Sequence, residues 1–122
     1  MWGYFTEKEM ACSHCGKCHM DDSFMHKLDM LRESYGKPIL ITSGYRCPEH
    51  PIEAKKFKPG AHASGKAADI ACERAEAFKI HKLALEMGFE RVGIQQKGSG
   101  RFIHLDICTE EDGFPTPTIW SY

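Results

Sequence analysis

The sequence predicts an α+β fold in which helices cover one face of a mainly antiparallel sheet. Three observations predict it. Phe24, Leu28, Leu31 and Tyr35 recur at three- and four-residue spacing, the apolar stripe of an amphipathic helix. Residues 92–96 and 102–108 flank a Gly98-Ser99-Gly100 turn and read as a β-hairpin. The remaining strand and helix patterns follow one another in an order that suits helices packed on one side of a sheet.

The elements run as follows. Residues 1–20 form an aromatic, cysteine-rich lead-in with no helical period, and Trp2, Tyr4 and Phe5 are able to pin it onto the body. Asp21, Asp22 and Ser23 are N-cap types, the main helix runs to Tyr35, and Gly36 closes it as a C-cap would. The run PILIT (38–42) is short, apolar and β-branched, a buried strand that ends at Ser43-Gly44. Residues 47–60 turn polar, with Pro48, Pro51, Pro59 and a lysine cluster at Lys55, Lys56 and Lys58, and read as an exposed loop or a short irregular helix. AADIAC (67–72) is a further strand. Residues 73–87 form a second helix ended by Gly88, with Phe78, Leu83, Leu85 and Met87 as its apolar residues. After the hairpin, the tail PTPTIWSY is extended and punctuated by proline. There is no repeat or low-complexity tract.

At 122 residues, 42% hydrophobic and 27% charged, the chain has room for one compact domain over 1–122, and the composition excludes wholesale disorder. Sixteen Lys plus Arg against 17 Asp plus Glu leave a net charge of -1, which argues against a nucleic-acid or anionic-membrane partner held by bulk electrostatics. No apolar run approaches the roughly 20 residues of a spanning helix. The start lacks a basic n-region and a continuous apolar h-region, so no secretory signal is visible. The expectation is a protein that works in the cytoplasm or leaves it by another route. Of the six cysteines, Cys12, Cys15 and Cys18 crowd one stretch, while Cys47, Cys72 and Cys108 stand alone. That spacing reads as a metal site or as disulfides.

Two segments place metal-capable side chains inside apolar strand patterns. In FIHLDIC, Ile103, Leu105 and Ile107 alternate onto one face, so His104 and Asp106 share the other with Phe102. In GAHASGKAADIA, His62 sits in a glycine-bounded loop and Asp69 lies in a run of small residues entering a strand. A carboxylate buried among alanines costs several kcal/mol unless a cation or hydrogen-bond donors compensate it, so Asp69 has a partner. His62, Asp69 and His104 together make two imidazoles and a carboxylate, the set that suits a catalytic zinc with an open position for water. The structural alternative is that His62 caps a turn, Asp69 pairs with a lysine and His104 is a satisfied core histidine. Three ligands spread along the chain make no local motif that would decide between the two.

ITSGYRCPEH (41–50), then His62, Gly65, Ala67 and Asp69, then FIHLD and a final IWSY resemble the zinc D-alanyl-D-alanine carboxypeptidase family. Its relatives include VanX-type dipeptidases, phage L-alanyl-D-glutamate endopeptidases and, by fold, the hedgehog signalling domain. The resemblance covers almost the whole chain from the cysteine cluster onward. It implies a zinc peptidase, carboxypeptidase or endopeptidase, acting as a monomer on peptidoglycan stem peptides, with His62, Asp69 and His104 as ligands. Arg46, in the family's SGYR motif, is implied to bind a substrate carbonyl or carboxylate; its other role would be a salt bridge fixing the strand end. The sequence departs from the family where Gly60 replaces a serine, Pro51 an asparagine, and Arg101 the acidic residue three before the last histidine. Asp106 then becomes the nearest acidic candidate for proton transfer, or a group that orients a ligand. With no leader and no wall-binding repeat, the resemblance points to a phage or prophage lysis product, released from the cytoplasm or carried on a particle.

The same fold also admits a non-catalytic metal-containing binding or structural module, or a redox protein that works through its cysteines. Cys12, Cys15 and Cys18, with His14, His19 and Cys47 folded back on them, offer a second, structural zinc site, with disulfides and free thiols as rivals. His26 and His81 lie on predicted helices and His50 in a loop, where solvated or core-edge roles are expected. Tyr45, Trp120 and Tyr122 line a cleft or simply pack.

Overall fold

In the computed structural model, which describes residues 2–55 and 60–122, the lead-in carries a single helical turn, α1 (Glu7–Met10). Four residues are too few to show a period. A capping box fixes the turn instead: Thr6 Oγ1 accepts from the Glu9 N–H, and the Glu9 carboxylate accepts from the Thr6 N–H. The turn carries Phe5 and Met10 into the main core.

The long helix α2 (Asp22–Tyr35) starts where Asp21 Oδ2 accepts the Phe24 N–H at 2.9 Å, and it ends at Gly36, whose φ of 76° is a left-handed C-cap. It buries the predicted stripe of Phe24, Leu28, Leu31 and Tyr35, together with Met25. Among its described residues, the polar segment after the first strand forms a short helix, α3 (Pro51–Ala54). Lys56, Lys58 and Pro59 of that segment lie outside the described residues.

Helix α4 (Arg74–Glu86) turns a different face inward from the one read in the sequence. Ala77, Ile80 and Ala84 are buried, whereas Phe78 is 74% and Leu85 54% exposed. At about 100° per residue, positions 77, 80 and 84 form one stripe; 78 and 85, seven apart, share an adjoining stripe aimed outward. The two alanines let α4 lie close against α2 and the sheet.

The sheet has five strands: β1 (Leu40–Ser43), β2 (Ala67–Ala71), β3 (Arg91–Gln95), β4 (Phe102–Asp106) and β5 (Thr118–Ser121), in the order β1-β2-β4-β3-β5. All pairings are antiparallel except β3 with β5. The fold is thus α+β, with Ile70, Val92, Ile103 and Leu105 facing the helical side of the core. The tail, read as merely extended, closes the sheet as β5. Its prolines precede the strand, so the Thr118 N–H is free to bond Glu90 O at 2.8 Å.

The pairing registers matter most for the site. They align Ser43, Asp69, His104, Gly93 and Trp120 in one row across all five strands, on the face away from the main core. Among the described residues no helix is long and apolar enough to cross a membrane.

Candidate metal centre and cleft

Residues directly opposite on antiparallel strands bring their side chains within reach of one another. The β2–β4 register does this for Asp69 and His104, leaving Asp69 Oδ1 3.0 Å from His104 Nδ1. His62 joins them from a 3-10 turn, Ala61–Ser64, that leads into β2. That turn ends at Gly65 with φ 76°, and a Cβ there would meet His19 O at 2.0 Å, so only glycine lets it seat against the lead-in. His62 Nε2 is 3.3 Å from Asp69 Oδ1 and 3.2 Å from His104 Nδ1. All three residues are buried.

The other nitrogen of each ring fixes which atom faces inward. A carbonyl only accepts, so His62 Nδ1–H donates to Gly44 O at 2.8 Å; His104 Nε2–H donates to Asp106 Oδ2 at 2.6 Å. His62 Nε2 and His104 Nδ1 therefore present lone pairs to Asp69 and to each other, all within 4.8 Å. Acceptors crowded in this way need a proton or a cation among them. Two imidazoles and a carboxylate, each ring held by an outer hydrogen bond, are a donor set that fits zinc.

The ionisation of the trio agrees. Burial works against the Asp69 carboxylate, but its interactions with the His104 and His62 rings outweigh it and hold the carboxyl well below its usual range. Burial likewise disfavours a charged His104, yet hydrogen bonds to Asp106 and Asp69 prevail and raise its pKa. Both shifts favour a proton in the place a cation would take.

Arg46 stands beside the trio. Its Nη2 is 3.4 Å from Asp69 Oδ2, the oxygen turned away from the imidazoles, while Nη1 meets Glu53 Oε2 at 3.3 Å and Nε donates to Ser43 Oγ at 3.0 Å. The Arg46 N–H also bonds His62 O at 3.2 Å, locking the end of β1 to the histidine turn. Arg46 is thus salt-bridged, as one of its two readings has it, and it also lines the cleft over the trio.

Asp106 sits behind His104 and is not among the residues that line the cleft. It is 0% exposed; Oδ1 accepts from Arg91 Nε at 2.8 Å and from the Cys108 N–H at 3.0 Å, and Oδ2 holds His104. Arg91, its cross-strand partner, stacks its guanidinium over Trp120 and Phe114 at 4.8 and 4.9 Å and donates to Pro115 O. Sequence reasoning passed over Arg91, although the alternation Arg91-Val92-Gly93 opposite FIHLD puts it on the working face. It also missed Glu53, whose buried carboxylate accepts the Gly60 N–H at 2.8 Å and so ties Arg46 to the histidine loop.

The trio forms the floor of a cleft of about 530 Å³ walled by Ile52, Phe102, Phe114, Trp120 and Tyr122. Trp120 lies 5.2 Å from the His104 ring because Gly93 beneath it has no side chain. Among the cysteines, Cys12, Cys15 and Cys47 are gathered away from this row, whereas Cys18 packs against the main core. Cys72 and Cys108 are buried separately, and burial pushes the Cys72 thiol up to about 11. His19 sits edge-on to Tyr45, and His14 to His50.

Comparison with curated proteins finds no match. The Peptidase M15 family profile matches residues 3–106, a span that includes the lead-in, Arg46, the His62/Asp69/His104 trio and Asp106. By that match over most of its length, the chain belongs to the Peptidase M15 family.

Proposed function

We propose that the chain is a zinc-dependent peptidase of the peptidoglycan-cleaving kind, with stem peptides as its substrate class. The observation that carries this reading is the convergence of His62 Nε2, Asp69 Oδ1 and His104 Nδ1 at the floor of a cleft, with the Arg46 guanidinium alongside. These three side chains would hold zinc, which supplies Lewis acidity toward a peptide carbonyl and brings the pKa of a bound water to about 7.

The remaining work falls to the chain's own groups. Arg46, its side chain 14% exposed and fixed by Ser43, Glu53 and Asp69, presents a preorganised fork to the carbonyl or terminal carboxylate of the peptide. Asp106 positions His104 and, through Arg91, the wall formed by Trp120 and Phe114. We assign it this role in place of proton transfer, because its oxygens are committed to His104, Arg91 and the Cys108 N–H. Phe102 and Tyr122, rings 5.1 Å apart, line the rim.

A non-catalytic binding module is the second reading. It is favoured by one observation: among the described residues lining the cleft, Asp69 is the sole acid. Mass spectrometry of stem peptides incubated with zinc-loaded protein separates the two. Loss of a terminal D-alanine marks a carboxypeptidase and an internal cut an endopeptidase; intact peptides that nevertheless bind would favour the module.

A further inference from the structure

The lead-in and the turn after β1 bring three sulfurs together on a face the cleft does not use. Cys12, Cys15 and Cys47 Sγ lie within 4.8 Å of one another, with Cys12 and Cys47 buried and Cys15 exposed. The C-x-x-C loop is closed by its backbone: the Gly16 N–H donates to Cys12 O, and the Cys12 N–H to Lys17 O, both at 2.8 Å. Two further N–H groups point at one sulfur, from His14 at 3.4 Å and Cys47 at 3.3 Å to Cys12 Sγ. Backbone donors aimed at sulfur favour a thiolate, the form that binds metal.

The spacing separates a metal site from a disulfide. Zn–S bonds of about 2.3 Å put tetrahedral sulfurs about 3.8 Å apart. A disulfide requires about 2.05 Å. Cys12 Sγ and Cys47 Sγ are 3.6 Å apart, close to the edge of a tetrahedron. The third sulfur, on Cys15, is what a disulfide between the other two would leave idle and a metal would use.

We propose that Cys12, Cys15 and Cys47 bind a second, structural zinc-class ion through three thiolates. A fourth corner falls to solvent or to an imidazole beside the loops, His14 or His50, whose rings are 6.2 Å apart. The ion would staple the lead-in to the turn that carries Arg46. The same two segments are already joined by the Tyr45 N–H to Met10 O at 2.8 Å, and Arg46 lies between Tyr45 and Cys47. Cys18 takes no part, since its place is against the main core.

The test is a cobalt(II) titration of the reduced full chain, following the sulfur-to-cobalt charge-transfer absorption in the near ultraviolet. His62, Asp69 and His104 contain no sulfur and give no such band, so the result is independent of any peptidase activity. The expected outcome is a charge-transfer band that saturates with one bound ion, keeps its intensity in His104→Ala and weakens in Cys15→Ser, a change at an exposed position. A cobalt-loaded, folded parent protein without the band would overturn the proposal. So would peptide mapping that finds Cys12 and Cys47 joined as a disulfide in the protein as produced.

Discussion

His104 is held at both ring nitrogens, and what happens when either hold is removed separates a ligand from a proton carrier. Asp106→Asn keeps the shape but loses the negative charge that pairs with Arg91 and His104. We expect it to weaken zinc binding about 10- to 100-fold, the usual effect of removing a group that orients a metal-bound histidine. Cleavage should fall in parallel and recover as zinc is raised, which zinc titration beside kinetics would show. Unchanged zinc affinity with lost turnover at every zinc concentration would restore Asp106 as a proton carrier. Arg46→Lys keeps the charge but not the fork that spans Ser43, Glu53 and Asp69. It should retain zinc yet lose on the order of 10²-fold in kcat/KM; near-normal kinetics would reduce Arg46 to a strut. Asp69, His104 and Asp106 were legible in sequence because FIHLD and AADIA set polar groups into apolar runs, which folding tolerates only where something compensates them, and Arg46 through the resemblance of its SGYR motif. Their partners were passed over: Glu53 reads as an ordinary charged residue until the chain sets it against Arg46, and Arg91 shows its place only once β3 is paired with FIHLD.

At the scale of elements, the site is a property of strand register. One row runs from Ser43 to Trp120, and β5 belongs to it through Gly93, where an added Cβ would lie 2.7 Å from Trp120 Cε2 and Nε1. Gly93→Ala must therefore push the indole or the strand aside. It should destabilise the protein by about 1–3 kcal/mol and alter Trp120 fluorescence, read in a Trp2→Phe background since the chain has two tryptophans. Parent-like stability and emission would mean that β5 does not depend on this contact. Helix α2 and the strand pair β3–β4 were legible because caps, period and turn coincide there. In α4 two of the three buried residues are alanines, so the larger Phe78 and Leu85 misdirected the reading. Strand β5 was hidden by the prolines before it, and α1 by its single turn.

At the scale of the whole molecule, metal and proton compete for one place, and the two protonation shifts set how stability responds to pH. Asp69, held low in the fold, contributes stability above its unfolded value of about 3.9 and loses it as pH falls through the depressed value. His104, raised in the fold, contributes below about 6.5 in the metal-free protein, and that contribution is lost as pH rises through the raised value. Zinc needs His104 unprotonated, so its stabilisation grows over the same interval. The melting temperatures of zinc-loaded and metal-free protein should therefore diverge as pH rises above about 6.5; a constant or narrowing gap would contradict the competition. The trio's assembly was beyond what spacing alone decides, since His62, Asp69 and His104 are brought together only by the β2–β4 register and the Gly65 turn. Whether this trio makes the chain a zinc peptidase is read by hydrolysis of stem peptides by the parent protein and His104→Ala across removal and return of zinc. The parent should cleave, with activity that a chelator abolishes and zinc restores, and a folded His104→Ala should not. Cleavage by His104→Ala at the parent rate, or no cleavage by folded, zinc-loaded parent protein, would contradict it.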